Sequence, residues 1–427
     1  MLLTDKRLER DNHSLHEPFL ERAANKDSKE NGSNGLAAFL TMRLVDQFAG
    51  DREDVSREAV RYQITATCKF LEDLYPRNAE VTSLREIVRV AGAAIDVRDR
   101  RLLFSPLLAF AFWLEQELRL EEALDVLDSA LNLSDGRSAE EEVAGFLQKA
   151  RVLRLSGRFD DARAAYQKGG KVAANTGDTH SVLLSQIGRG IVMQKLGNLP
   201  ESERILCEVI TAAQRIEDRD AEGRACQDLA ATLFFAGRLA QAANYAFRAY
   251  ELLEQPLQRL RALSDTGVFL KELGHYSEAA KAFGVVLGSD PSLDVRARTV
   301  AEMVDLSALT DDRIGFERWR RDLAGLYDQL PPEDKVDFDV KVGTGLIEFG
   351  MQGQADKHLR RALSVAEECK MGERIFKLEE LLQTVLEPSV PGSEKAGSHT
   401  VQRSVEPQLQ STLESLNALA TPTPAGV

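Results

Sequence analysis

Aromatic residues make up only 6% of this 427-residue sequence, and it contains no long apolar run. A membrane-spanning helix needs roughly 20 consecutive apolar residues, so none is expected. Cysteine is equally sparse: Cys68, Cys207, Cys226 and Cys369 stand far apart, with no CxxC pair and no Cys/His spacing suited to zinc. That excludes a disulfide framework and predicts buried thiols in a reducing compartment. The first residues, MLLTDKRLERDNHSLHE, lack the apolar stretch of a secretory signal. A cytoplasmic protein is the resulting expectation.

Catalytic patterns are missing too. HExxH, GxSxG, GxGxxG and a Walker lysine loop do not occur, and three of the six histidines (His13, His16, His399) lie near the ends. The sequence therefore predicts no enzyme, no metal and no cofactor. A net charge of −14 argues against nucleic acid as the partner.

What the chain has is alanine, leucine and a recurring phrase. Hydrophobic residues reach 43% and the strong helix formers dominate them. Gly157, Gly197, Gly237 and Gly274 are spaced 40, 40 and 37 residues apart. Seven residues before each stands a small residue (Ala150, Gly190, Ala230, Gly267), and four before it a large one (Leu153, Met193, Leu233, Leu270). Five after it come Ala162, Ser202, Ala242 and Ala279, and nine after it Tyr166, Leu206, Ala246 and Phe283. Apolar residues three and four apart on both sides of a glycine describe two amphipathic helices joined by a left-handed turn. Matched small residues let the helices approach, and the large ones fill the gaps. Leu118 takes the glycine's place one period earlier, and further copies are expected around Asp312 and Gly353, with His358 in a small residue's place.

The alternation of small and large residues around a Gly-polar-aromatic turn resembles the tetratricopeptide repeat (TPR) family. Its basic unit is about 34 residues, so this chain is similar to the longer-period kind found in bacterial signalling and regulatory proteins. The resemblance implies an all-α fold, a right-handed superhelical α-solenoid of stacked antiparallel hairpins. The expected organisation is a flexible segment over 1–35, a helical cap or degenerate repeats over 36–103, the repeat array over 104–386, and a disordered tail over 387–427. Within that tail, PQLQSTLESLNALA (407–420) places Leu409, Leu413, Leu416 and Ala420 on one helical face.

In TPR proteins the first helix of each hairpin lines the inner face. Counted over 143–156, 183–196, 223–236 and 260–273, those helices carry eight cations and three carboxylates. An acidic protein or peptide segment is the expected complement. The residues expected to meet it are Arg151, Arg154, Ile191, Gln194, Arg224, Gln227, Phe234 and Lys271. The Lys/Asn carboxylate clamp of chaperone-binding relatives is absent, since Leu147, Gln148, Ile187, Gly188, Gln227 and Asp228 stand in its places. A non-catalytic adaptor or scaffold is the leading expectation. A sensor of a transcription or signalling system and an accessory subunit of an enzyme complex are the alternatives. Any DNA-reading unit would have to lie in 36–103, where Arg89–Arg101 is the nearest basic stretch.

Overall fold

The computed structural model describes residues 15–24, 29–48, 56–74, 79–134, 139–386 and 407–420, and no strand occurs among them. The chain divides into two compact units, Met1–Asn198 and Leu199–Val427. The first contains α1 (Glu17–Ala24), α2 (Lys29–Val45), α3 (Arg57–Glu72), α4 (Ala79–Val97), α5 (Phe104–Gln116), α6 (Leu120–Leu133), α7 (Ala139–Leu155), α8 (Phe159–Thr176) and α9 (Thr179–Lys195). The second contains α10 (Leu199–Arg215), α11 (Arg219–Phe235), α12 (Leu239–Leu252), α13 (Pro256–Glu272), α14 (Tyr276–Gly288), α15 (Leu293–Leu309), α16 (Arg313–Ala324), α17 (Pro332–Glu348), α18 (Gln352–Glu368), α19 (Gly372–Leu386) and α20 (Pro407–Ala420).

Among the described residues one turn closes seven helix hairpins, and the same turn also ends helices at Arg98, Gly177, Glu217 and Lys370. Gly157, Gly197, Gly237, Gly274 and Gly350 have φ between +72° and +83°, and Leu118 and Asp311 hold the same place at +57°. In each of these seven the following N–H donates to the carbonyl five residues back: Arg119 to Leu114, Arg158 to Leu153, Asn198 to Met193, Arg238 to Leu233, His275 to Leu270, Asp312 to Ser307 and Met351 to Leu346, at 2.8–2.9 Å. This closure satisfies carbonyls that the helix end would otherwise leave open.

Two registers differ from expectation. The left-handed residues are Asp311 and Gly350, rather than Asp312 and Gly353. Counting from Gly350 restores the code: Gly343 and Ala355 take the small places, Leu346 and Leu359 the large ones. A Cβ on Gly343 would lie 2.8 Å from Leu359. His358 is therefore not in a small residue's place; its Nδ1 lies 2.7 Å from Asp339 Oδ1. The copy at Asp311 inverts the code, with fully buried Phe316 where the others have a small residue. Gly345 of α17 makes room for it, since a Cβ there would stand 2.3 Å from the Phe316 ring.

The expected flexible segment 1–35 is helical where it is described. α1 buries Phe19, and α2 crosses it closely enough that a Cβ on Gly35 would be 2.7 Å from Ala23 N. Ion pairs hold α1 in place: Arg22 forks onto Glu80 of α4 at 2.6 and 2.9 Å and reaches Glu122 of α6 at 3.1 Å. Arg119 bonds Glu80 at 2.8 Å and also pairs with Glu122. His16 lies 2.6 Å from Asp125 and 3.1 Å from Asp46. One core runs across position 103, because Phe19, Leu84, Phe110, Ala123 and Tyr166 belong to a single cluster. The tail helix forms as α20 and packs against α12 and α14; the rest of 387–427 lies outside the described residues. The thiols are all free; Cys226 is buried, whereas Cys369 is exposed, contrary to the expectation of burial. Among the described residues no helix is long and apolar enough to cross a membrane.

Candidate partner-binding face

The first helices adjoin one another within each unit: α5, α7 and α9 in the first, α13, α15 and α17 in the second. In the first unit, exposed Arg151 places its Nε 2.6 Å from Glu115 Oε1, and Glu115 is itself only 3% exposed. Burial pushes the Glu115 carboxyl up, and Arg151 and Arg154 draw it back. Arg154 is half-buried, and its Nε has no hydrogen-bond partner. Ile191 and Gln194 are half-buried on α9.

In the second unit Arg224 turns along its own helix to Asp220, at 2.6 Å. Gln227 donates to Asp265 of α13. Phe234 is 36% exposed and stacks on Phe269 of α13 with ring centroids 5.2 Å apart. Lys271 is only 5% exposed. Its ammonium lies 2.8 Å from Glu302 and also pairs with Asp305, both on α15, and Glu302 is shared with Lys341 of α17. Burial alone would lower the lysine's affinity for its proton; the two carboxylates more than reverse this.

The second unit's face therefore has two parts. One is an apolar shelf of Phe234, Phe235 and Phe269, with Phe235 62% exposed. The other is a cavity of about 350 Å³ between α13, α15 and α17, whose lining includes Asp265, Val268, Arg298, Phe338 and Lys341. Burial pushes the Asp265 carboxyl up to about 6, against the Gln227 hydrogen bond and the charges of Arg298 and Arg261. Arg298 also reaches Asp334 at 3.3 Å.

The cationic surplus expected of the first helices is smaller than the sequence count. The helices α7, α9, α11 and α13 begin about one turn earlier than assumed, and the added turns of α7 and α11 are acidic. Over their observed bounds they carry ten cations and eight carboxylates. Arg151, Arg224, Arg261 and Lys271 are each engaged by a carboxylate. Lys271 in particular is a buried structural cation, closed to a partner. Sequence reasoning brought Gln227 and Phe234 onto one shared surface, and Arg151 and Arg154 onto another. It missed Glu115, Asp265, Phe269, Arg298, Glu302 and Lys341. A signal for several of them exists: ion pairs between successive first helices join residues one period apart. Arg261–Asp294, Lys271–Glu302, Arg298–Asp334 and Lys341–Glu302 are separated by 31 to 39 positions.

No family model and no curated protein sequence matches the chain. Among solved structures, it is similar to a tetratricopeptide repeat protein from Parabacteroides merdae (15% identity, TM-score 0.43, 66% of this chain and 99% of that one). It is also similar to the Rap conjugation gene regulator of plasmid pLS20 in complex with the Phr* peptide (12% identity, TM-score 0.49, 83% and 99%). A third is the apo quorum sensor NprR from B. thuringiensis (13% identity, TM-score 0.48, 79% and 88%). The recurring left-handed closure and the small-against-large packing of this chain itself define an all-α, TPR-like repeat protein.

Proposed function

We propose that the protein is a non-catalytic binding module that takes an extended peptide or protein segment along its first helices. The observation that carries this reading is the second unit's face, where the aromatic shelf on α11 and α13 lies beside Gln227 and Asp265 and the cavity behind them. An exposed aromatic pair supplies apolar anchorage, and Gln227, Arg298 and Lys341 supply donors for a peptide backbone. An acidic segment is disfavoured in this cavity, where Asp265, Glu302, Asp334 and Asp337 oppose Arg298, Lys341 and Arg374. A neutral or basic segment with one apolar anchor is the better complement. A sensor of a regulatory system would use the same face and differ only in what binding triggers.

Peptide display selected on the intact chain tests the reading. Selected peptides should share an apolar anchor, and Phe234→Ala should weaken them at least tenfold while the helical circular dichroism stays unchanged. Peptides that bind Phe234→Ala and Asp265→Asn as well as the native chain would refute it.

A further inference from the structure

α20 does not continue the array after α19. It returns to α12 and α14, bringing together residues far apart in sequence. Thr412 Oγ1 donates to Asn244 Oδ1 at 2.7 Å, and Lys281 Nζ donates to Asn417 Oδ1 at 2.6 Å. The expected stripe of Leu409, Leu413, Leu416 and Ala420 is rotated: Leu409, Thr412 and Leu416 are the buried residues, at 2%, 6% and 0% exposure. Leu413 is half-buried, and Leu419 is 42% exposed. Beside this stripe the contact is open. A groove of about 750 Å³ is lined by Ser411, Thr412 and Ser415 of α20 and by Arg238, Tyr245, Arg248 and Glu251. Three side chains in one line are buried, Asn417 adds a hydrogen bond from the rim, and the next face of the helix borders a polar groove. Only one line of α20 is buried, so the helix closes the α12 and α14 face along a single stripe.

We propose that the face formed by α12 and α14 is a receptor for an amphipathic helix. Its ligand is a partner helix presenting an apolar, a hydroxyl and an apolar residue at positions i, i+3 and i+7. α20 is the chain's own copy of that ligand and occupies the site until displaced. Asn244 and Lys281 read polar groups of the bound helix, and the leucines supply its anchorage. Covalent attachment gives α20 an effective concentration in the millimolar range, so a free helix competes only when the contacts of α20 are weakened or its own are better. This surface lies on second helices and is separate from the face proposed above to take an extended segment.

The test uses the full chain and a fluorescent peptide of residues 405–421 as probe. Leu409→Asp with Leu416→Asp should release α20 and leave the array intact. The peptide should then bind saturably, at least tenfold more tightly than to the native chain, and Asn244→Ala added to that variant should weaken it again. Equal binding to native and released chains, or no binding to a released chain that keeps its helical signal, overturns the proposal. A native-chain dimer in light scattering that the two substitutions abolish would assign the face to a second copy's α20, and also overturns it. Amide exchange on the unmodified chain is the safeguard if the variant does not fold. The amides of α20 should exchange much faster than those of α12 and α14, and equal protection would make α20 a fixed part of the core.

Discussion

Two glycines of one hairpin should respond in opposite directions to the same substitution. Gly267 lies in α13, where an added Cβ would stand 2.5 Å from Phe283 Cε1 and 2.9 Å from its Cδ1 and Cζ. Ordinary carbon contacts lie near 3.5–4.0 Å, so the ring would have to retreat by about 1 Å. Phe283 is fully buried and has nowhere to go. Overpacking of this kind costs about 1–3 kcal/mol, against a gain of about 1 kcal/mol from replacing a helical glycine by alanine. Gly267→Ala should therefore destabilise by up to about 2 kcal/mol. Gly284 lies in α14 with nothing within 4 Å of its would-be Cβ, so Gly284→Ala should stabilise by about 0.5–1 kcal/mol. Denaturant midpoints followed by helical circular dichroism give both signs. Adding Phe283→Leu to Gly267→Ala should recover part of the loss, because the clash is with the ring. If both alanines stabilise, the close contact between α13 and α14 does not exist and the packing code is wrong.

Leu118 is 78% exposed and sits at φ +57°, so Leu118→Gly should relieve left-handed strain and raise stability by up to about 1 kcal/mol in a denaturant titration. For His16, burial works against the proton, but the hydrogen bonds and charges of Asp125 and Asp46 outweigh it and raise the pKa from 6.5 to about 9. The stabilisation is complete below the unfolded value and is lost as pH rises through about 9. It amounts to roughly 3 kcal/mol at about 1.4 kcal/mol per pKa unit, and melting curves of His16→Asn should lack that alkaline decline. Lys271→Met strands Asp305 and half of Glu302's pairing, and should cost about 2–4 kcal/mol at neutral pH in the same titration, less where carboxylates protonate. Arg151→Glu sets a second carboxylate against nearly buried Glu115, so it should lower the melting temperature more than Arg151→Met does.

The fold was legible where the chain repeats its own phrase. Gly157, Gly197, Gly237 and Gly274 mark turns because a left-handed residue is needed there, and Leu118 was recognisable by position alone. The register slipped at the later copies for two local reasons. Gly350 and Gly353 compete within one short stretch, and Phe316 stands where a small residue was sought. The compensating Gly345 lies in the next hairpin, so no reading confined to one repeat could find it. The N-terminal helix was misjudged because its polar residues look solvated until Glu80, Glu122 and Asp125 are brought beside them from far along the chain. At the candidate face, Gln227 and Phe234 were accessible because they follow from the position of a first helix. The charges were misread because a helix-by-helix sum ignores partners one period away.

The inversion at Phe316 bears on how such a chain can change over time. A hairpin whose bulky residue fits only the hollow left by Gly345 cannot be duplicated, deleted or traded for a neighbour as an independent cassette. Placed before a helix bearing any side chain at that point, it would meet a filled site, and a neighbour moved into its position would leave the hollow empty. The contact between Phe316 and Gly345 thus couples the two hairpins, and exchanging either alone would leave a clash or a hollow at that join.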